Sequence, residues 1–150
     1  MISIIIDSRE QTPWAFPKEL ATVRVAKLDA GDYALENDPG FAIERKSLDD
    51  FAGTISSGWQ RFEREIDRMR GWPVKVTIVE GRLLDCCFYE TDSDLQGPAH
   101  NHFMLRPQFI LKQIARLTMK GMTILFAESA DIAAGLGYAI LKERAKDLEQ

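Results

Sequence analysis

No apolar run in this sequence approaches the ~20 residues needed to span a bilayer, so no membrane-spanning helix is expected. Cysteine is scarce: Cys86 and Cys87 are the only two, and they are adjacent. Neighbouring cysteines rarely form a good bridge, which excludes a disulfide framework and points to a reducing, cytoplasmic setting. The opening "MISIIIDSRE" lacks a basic segment ahead of its apolar run, and the run breaks at Asp7, so a secretory leader is not expected. There is no surplus of positive charge either. A net charge of −4 weighs mildly against a generic nucleic-acid binder, although the total does not show where acids and bases gather. Internal repeats, low-complexity tracts and linkers are absent. What remains is a chain of 150 residues, 45% hydrophobic, expected to form one compact domain over 1–150.

Hydrophobic patterning gives the order of elements. "ISIII" (2–6) is a β-branched run that reads as a buried strand, and "TVRVAKL" (22–28) alternates as a half-exposed one. "GDYALE" and "FAIERK" flank the turn-rich "NDPG", the pattern of a hairpin. Ser47, with Asp50 three residues on, has the form of a helix cap before "FAGTI". A second helix is expected from Gly58 to Arg70, with Trp59, Phe62, Ile66 and Met69 along one face. "VKVTIVE" (74–80) and "MTILFA" (122–127) read as strands. Pro107 suits the first position of a helix reaching Lys120, and Ser129 caps a last helix. Residues 85–106 show no sustained period and read as an irregular segment that is functional, mobile or concealing a short helix. The expectation is an α/β domain, or α+β, with a central mixed sheet flanked by helices.

The hairpin raises a question of charge. On a strand, Glu44 and Lys46 share one face while Ile43 and Arg45 share the other. If the hairpin closes symmetrically about Asp38, Asp32 lies across from Glu44 with Cβ atoms ~5 Å apart. Carboxylates ~4 Å apart repel by ~4 kcal/mol at an effective dielectric near 20. A divalent cation such as Mg²⁺ would compensate them, with Asp7 as a possible third acid and Lys46 directed at the same place. Such an arrangement is suited to phosphodiester hydrolysis. Spacing alone leaves a second reading open: a solvated hairpin end on which Lys46 pairs with a nearby acid.

The blocks "IIIDSRE", "GDY", "ERKSLDD" and "VTIVEG" resemble, in order, those of the XPF-type nuclease domain of structure-specific DNA endonucleases. The signature Gly-Asp, a gap, Glu-Arg-Lys, three residues and Asp is matched by Gly31-Asp32, Glu44-Arg45-Lys46 and Asp50. Residues 107–117 and "GMTILFAESADIAAGLGYAILKER" resemble the family's closing helix, strand and helix. The resemblance implies a restriction-endonuclease-like fold and a Mg²⁺- or Mn²⁺-dependent endonuclease acting on branched or flapped DNA in repair, recombination or replication. It implies that Asp32 and Glu44 are metal ligands, that Asp7 is a further ligand or holds water on the ion, and that Lys46 is the catalytic lysine. Arg9 and Glu10 would border the site, Arg9 reaching a phosphate, while Arg45 and Asp50 would act chemically or support the site.

The family commonly carries a tandem helix-hairpin-helix module that this sequence does not show, so a homodimer or a partner containing that module is an expected associate. So compact a version suggests a bacterial cell or a phage-infected one. Two rival functions stay open: a non-catalytic DNA-binding or scaffold subunit, and a nuclease of the same fold acting on linear duplex. Beyond the motif, Arg61, Arg64 and Arg68 form a stripe at i, i+3 and i+7 that could hold a DNA backbone, interleaved with Glu63, Glu65 and Asp67. Lys112, Arg116 and Lys120 read as the polar face of an ordinary amphipathic helix. His100 and His102 read as residues of a solvated loop, and the two cysteines as packing residues.

Overall fold

A computed structural model describes residues 1–88 and the backbone from residue 99 onward, with side chains described again from residue 107. Six strands form one mixed sheet: β1 (Ile2–Asp7), β2 (Ala21–Ala26), β3 (Tyr33–Leu35), β4 (Ile43–Ser47), β5 (Lys75–Glu80) and β6 (Met122–Phe126). Their order across the sheet is β2-β1-β3-β4-β5-β6. The β1–β2, β4–β5 and β5–β6 pairs are parallel, whereas β3 runs antiparallel to both its neighbours. The helices are α1 (Leu48–Ile55), α2 (Trp59–Arg68), α3 (Leu83–Cys87), α4 (Ala99–Met119) and α5 (Ala130–Leu148). Among the described residues no helix is long and apolar enough to cross a membrane.

Period-two alternation divides the strand residues between two cores. Ile4, Ile6, Tyr33, Ile43, Val76 and Ile78 meet α5 on one face of the sheet. Val79 and Met122 meet α1, α2 and α4 on the other, through Phe51, Phe62, Ile66 and Leu117. Trp59, Phe62, Ile66 and Met69 are all buried, as a helical stripe of that spacing requires. Gly137 lets α5 approach closely: a Cβ there would stand 2.5 Å from the Trp14 ring.

Sequence expectations are corrected or refined at four places. β2 does not alternate; it is an edge strand, and Val25 is 63% exposed. The segment 85–106 is not irregular throughout, because α3 extends into it and α4 starts at Ala99. Pro107 therefore lies inside α4 rather than at its first position. A proline there removes one N–H from the helical ladder and clashes with the preceding turn, which is why it reads as a start. Residues 89–98, and the side chains of His100 and His102, lie outside the described residues. The basic stripe on α4 is an inter-helix tie: Arg116 and Lys120 reach Glu63 on α2 at 3.7 and 3.4 Å, and the Arg116 guanidinium lies 4.2 Å from the centroid of the Trp59 ring.

Candidate active site

The hairpin closes in the anticipated register. Tyr33 pairs with Ile43, and the Asp32 N–H donates to the Ile43 carbonyl at 2.8 Å. The strand pairing ends at Tyr33 and Ile43, and just beyond it the Asp32 and Glu44 side chains line one cleft on the sheet face that meets α2. Gly31 makes this possible. Its φ is +75°, and a Cβ would stand 2.5 Å from that of Ala42. The chain enters β3 tight against the opposing strand, which sets the following acid over the cleft.

Asp32, Glu44, Arg9, Glu65, Arg61 and Arg68 line one cleft of about 470 Å³. The Asp32 carboxylate accepts the Arg45 N–H at 2.7 Å. Burial, then the charge of Glu44 and more weakly that of Glu10, push its pKa up to about 7, against the opposing pull of Arg45 N–H and Lys46. Glu44 is raised as well, chiefly by burial; the Lys46 ammonium opposes the rise, and the charges of Glu65 and Glu10 add to it. Lys46 Nζ stands 3.2 Å from Glu44 Oε1 and 5.5 Å from the centroid of the Phe62 ring, with its side chain 13% exposed. It is held between a carboxylate and an aromatic face. Glu44, Arg61 and Glu65 also line an adjoining hollow of about 450 Å³ containing Lys46, Asp49 and Asp50.

Asp7 is placed differently from a third ligand. Its carboxylate is buried and accepts four N–H groups: Arg9 N–H at 2.9 Å, Arg9 Nε at 2.6 Å, Arg9 Nη2 at 3.1 Å and Leu28 N–H at 2.7 Å. The Arg9 hydrogen bonds foremost hold its pKa down to about 2, outweighing burial. Arg9 Nη2 also donates to the Leu28 carbonyl at 3.1 Å, while its side chain is 66% exposed. Nη1 takes no part in these bonds. Asp7 is thus the anchor of an arginine at the cleft mouth. Among the described residues, no three His, Cys, Asp or Glu side chains converge as a ligand set. Asp32 and Glu44 remain as two carboxylates whose repulsion Lys46 and the Arg45 N–H only partly offset, which suits a hard divalent cation that keeps water in its other positions.

Arg45 occupies the opposite face. Its guanidinium donates to Glu80 at 2.6 Å, Glu10 at 2.9 Å and the Thr12 carbonyl at 2.6 Å, and packs on Trp14. Tyr33 Oη donates to Glu10 at 2.9 Å and accepts the Trp14 N–H at the same distance; the two rings stack 4.3 Å apart. Trp14 Nε1 donates to Glu80 at 2.7 Å. Through this network Arg45 braces the strands behind the cleft, while Glu10, tied to it, borders the cleft itself as expected.

The family model for the ERCC4 domain matches residues 6–139. The chain belongs to the ERCC4 domain family. Its fold is similar to XPF from Aeropyrum pernix, with a TM-score of 0.68 and 18% identity, covering 99% of this chain and 64% of that one. It is also similar to XPF from Aeropyrum pernix in complex with DNA, with a TM-score of 0.69 and 19% identity, covering 98% and 66%. The chain therefore spans just under two thirds of the length of those relatives. The search of curated proteins finds no match. The mixed sheet with flanking helices is the restriction-endonuclease-like fold of XPF-type nuclease domains.

Within this ERCC4 domain the motif separates by strand parity. Asp32, Glu44 and Lys46 face α2; Arg45 faces α5; the Asp50 N–H donates to Ser47 Oγ at 3.1 Å and closes the cap of α1. Arg61 and Arg68 reach the cleft, whereas Arg64 is exposed elsewhere on α2. Sequence reasoning did not name Glu80, Trp14, the Leu28 N–H or Glu65 for the site. Glu80 carries a usable signal, an acid ending an apolar strand; the others depend on tertiary proximity.

Proposed function

We propose that this chain is a metal-dependent endonuclease that hydrolyses phosphodiester bonds in branched or flapped DNA during repair, recombination or replication. The observation that carries the reading is the placement of Asp32 and Glu44 in one cleft, half-buried and mutually repelling, with Lys46 beside Glu44. Asp32 and Glu44 would hold Mg²⁺ or Mn²⁺. When bound, such an ion supplies Lewis-acid polarisation of the scissile phosphate and a more acidic water. Lys46 orients the attacking water and offsets charge gathering on the phosphate oxygens. Arg9, fixed by Asp7, presents Nη1 to a phosphate at the cleft mouth, and Arg61 and Arg68 hold the flanking backbone. Arg45 supports these groups from behind, and Glu10 and Asp50 support them from the cleft and its adjoining hollow. The similarity to an XPF described in complex with DNA favours nucleic acid as the substrate. Selectivity for branches would draw on a second copy of the chain or on a partner containing helix-hairpin-helix modules.

Labelled fork, flap, Holliday-junction and linear duplex DNA, each with Mg²⁺ or with a chelator, test this reading. The wild type cuts branched substrates only when metal is present. Lys46→Ala binds them with similar affinity and cuts on the order of 100-fold slower or less. Binding without metal-dependent cutting would instead identify a DNA-binding or scaffold subunit. Equal cutting of linear duplex would remove the branch preference.

A further inference from the structure

The sheet face that carries the two acids continues past them. Residues two apart on a strand share a face, so Ala34 and Ala42 follow Asp32 and Glu44 about 7 Å along the hairpin. Ile5, which pairs with Ala34, carries the same face onto β1. These three side chains floor a hollow of about 260 Å³ that shares Asp29 and Ala30 with the catalytic cleft. Trp72, in the α2–β5 connection, forms one wall. Trp14 and Trp59 are buried, and Trp72 alone among the three tryptophans is half-exposed. The rim is polar: Lys27, Asp29 and Asn37 are all exposed there, and Asn37 is held out by a left-handed backbone with φ of 71°.

We infer that this trough receives one nucleobase of a DNA strand whose phosphate lies in the adjoining cleft. The inference rests on the proposed nuclease reading, because continuity with the phosphate cleft is what selects the occupant. A base is flat and apolar on its faces and carries hydrogen-bonding groups only at its edges. The trough matches that chemistry, with alanines beneath, an indole at the side, and an ammonium, a carboxylate and an amide at the rim. Two alanines leave the trough open, and a leucine at either position would take up part of the space a base needs. A base seated here must leave its stack, which is easiest in a single strand or at a branch, so the trough favours unpaired DNA over duplex.

The test uses the whole chain with a chelator present, so that DNA is bound and not cut. A single abasic site is moved stepwise through a flapped oligonucleotide. Binding is expected to fall about 5- to 100-fold at one or two adjacent positions and little elsewhere. Ala34→Leu should bind intact DNA as weakly as the wild type binds that abasic DNA, with no further loss on combining them. Trp72 fluorescence should be quenched by intact DNA and not by the abasic strand, and Trp72→Phe should abolish the change; this readout decides if Ala34→Leu does not fold. A uniform response to the abasic site, or full additivity with Ala34→Leu, would overturn the inference. Adding Mg²⁺ separates the two proposals. Cutting without a base-dependent footprint removes the trough alone, whereas a footprint without cutting upholds the trough and removes the nuclease reading. No DNA binding at all removes both.

Discussion

Asp7 and Asp32 carry the same functional group and are displaced in opposite directions. Asp7 gains four N–H donors and titrates near pH 2; Asp32 gains burial and a neighbouring acid and titrates near pH 7. The consequences for stability have opposite signs. A depressed carboxylate stabilises the fold above the unfolded pKa, near 4, and that contribution is lost as pH falls through 2. A raised carboxylate is better tolerated when protonated, so metal-free protein should lose stability as pH rises from about 4 to 7. Asp32→Asn removes that loss. In chelator, urea unfolding should show the variant at least as stable as the wild type at pH 8 and with a flatter pH profile. Mg²⁺ should raise the melting temperature of the wild type and leave that of Asp32→Asn nearly unchanged, because only the former keeps both ligands. Equal shifts in the two proteins would show that Asp32 does not hold the ion. The anchor on Arg9 predicts a further contrast: Asp7→Ala frees the guanidinium, loosens the loop at Leu28 and costs about 2 kcal/mol.

At the scale of elements, what was legible depended on whether the controlling interactions were local. The hairpin register could be read at Tyr33 and Ile43 because a turn with equal arms about Asp38 fixes both strands together. The cap at Ser47 and the buried stripe of α2 were legible for the same reason. The start of α4 was not, since Pro107 mimics a first-turn proline and the preceding residues carry no clear period. Nor was the flanking of β1 by a parallel β2 and an antiparallel β3, which depends on crossovers rather than on pattern. Asp38 shows the same limit: it lies within the turn, yet its carboxylate is buried against Arg144 of α5 at 2.7 Å. The element whose shape matters most to the site is the entry to β3. Gly31→Ala puts a side chain at positive φ and into Ala42, so it should cost about 1–3 kcal/mol and reduce cutting as well. Ser47→Ala, losing only the α1 cap, should cost about 1 kcal/mol and leave cutting largely intact. Parallel urea melts and cleavage rates separate a hairpin that aims the acids from a helix that supports them.

At the scale of the whole molecule, the proposed function requires an acidic chain to gather a polyanion. The net charge of −4 coexists with a cleft mouth lined by Arg9, Arg61 and Arg68, because many of the other bases are tied to acids. Arg45 lies between Glu10 and Glu80, Arg116 and Lys120 reach Glu63, and Arg144 pairs with Asp38. Sequence could count these charges but not assign them, since each partnership joins residues far apart in the chain; parity alone separated Arg45 from Glu44 and Lys46. The cleft also holds Glu10, Asp29, Asp32, Glu44 and Glu65, so on the proposed reading association would depend on those three arginines together with a bound cation rather than on the net charge. This division yields a prediction about salt. If Arg61 and Arg68 each meet a phosphate, replacing both with Ala should weaken binding across all DNA sequences and lower the slope of log affinity against log salt by about 2 on duplex arms. Arg61 is partly engaged with Glu65 at 3.3 Å, so it must exchange that partner for the phosphate, and its share of the slope should be the smaller. Arg64→Ala, exposed on the same helix and outside the cleft, should leave the slope unchanged. An equal drop for Arg64→Ala would mean that the helix acts as a diffuse basic surface, and that DNA does not follow the cleft containing Asp32 and Glu44.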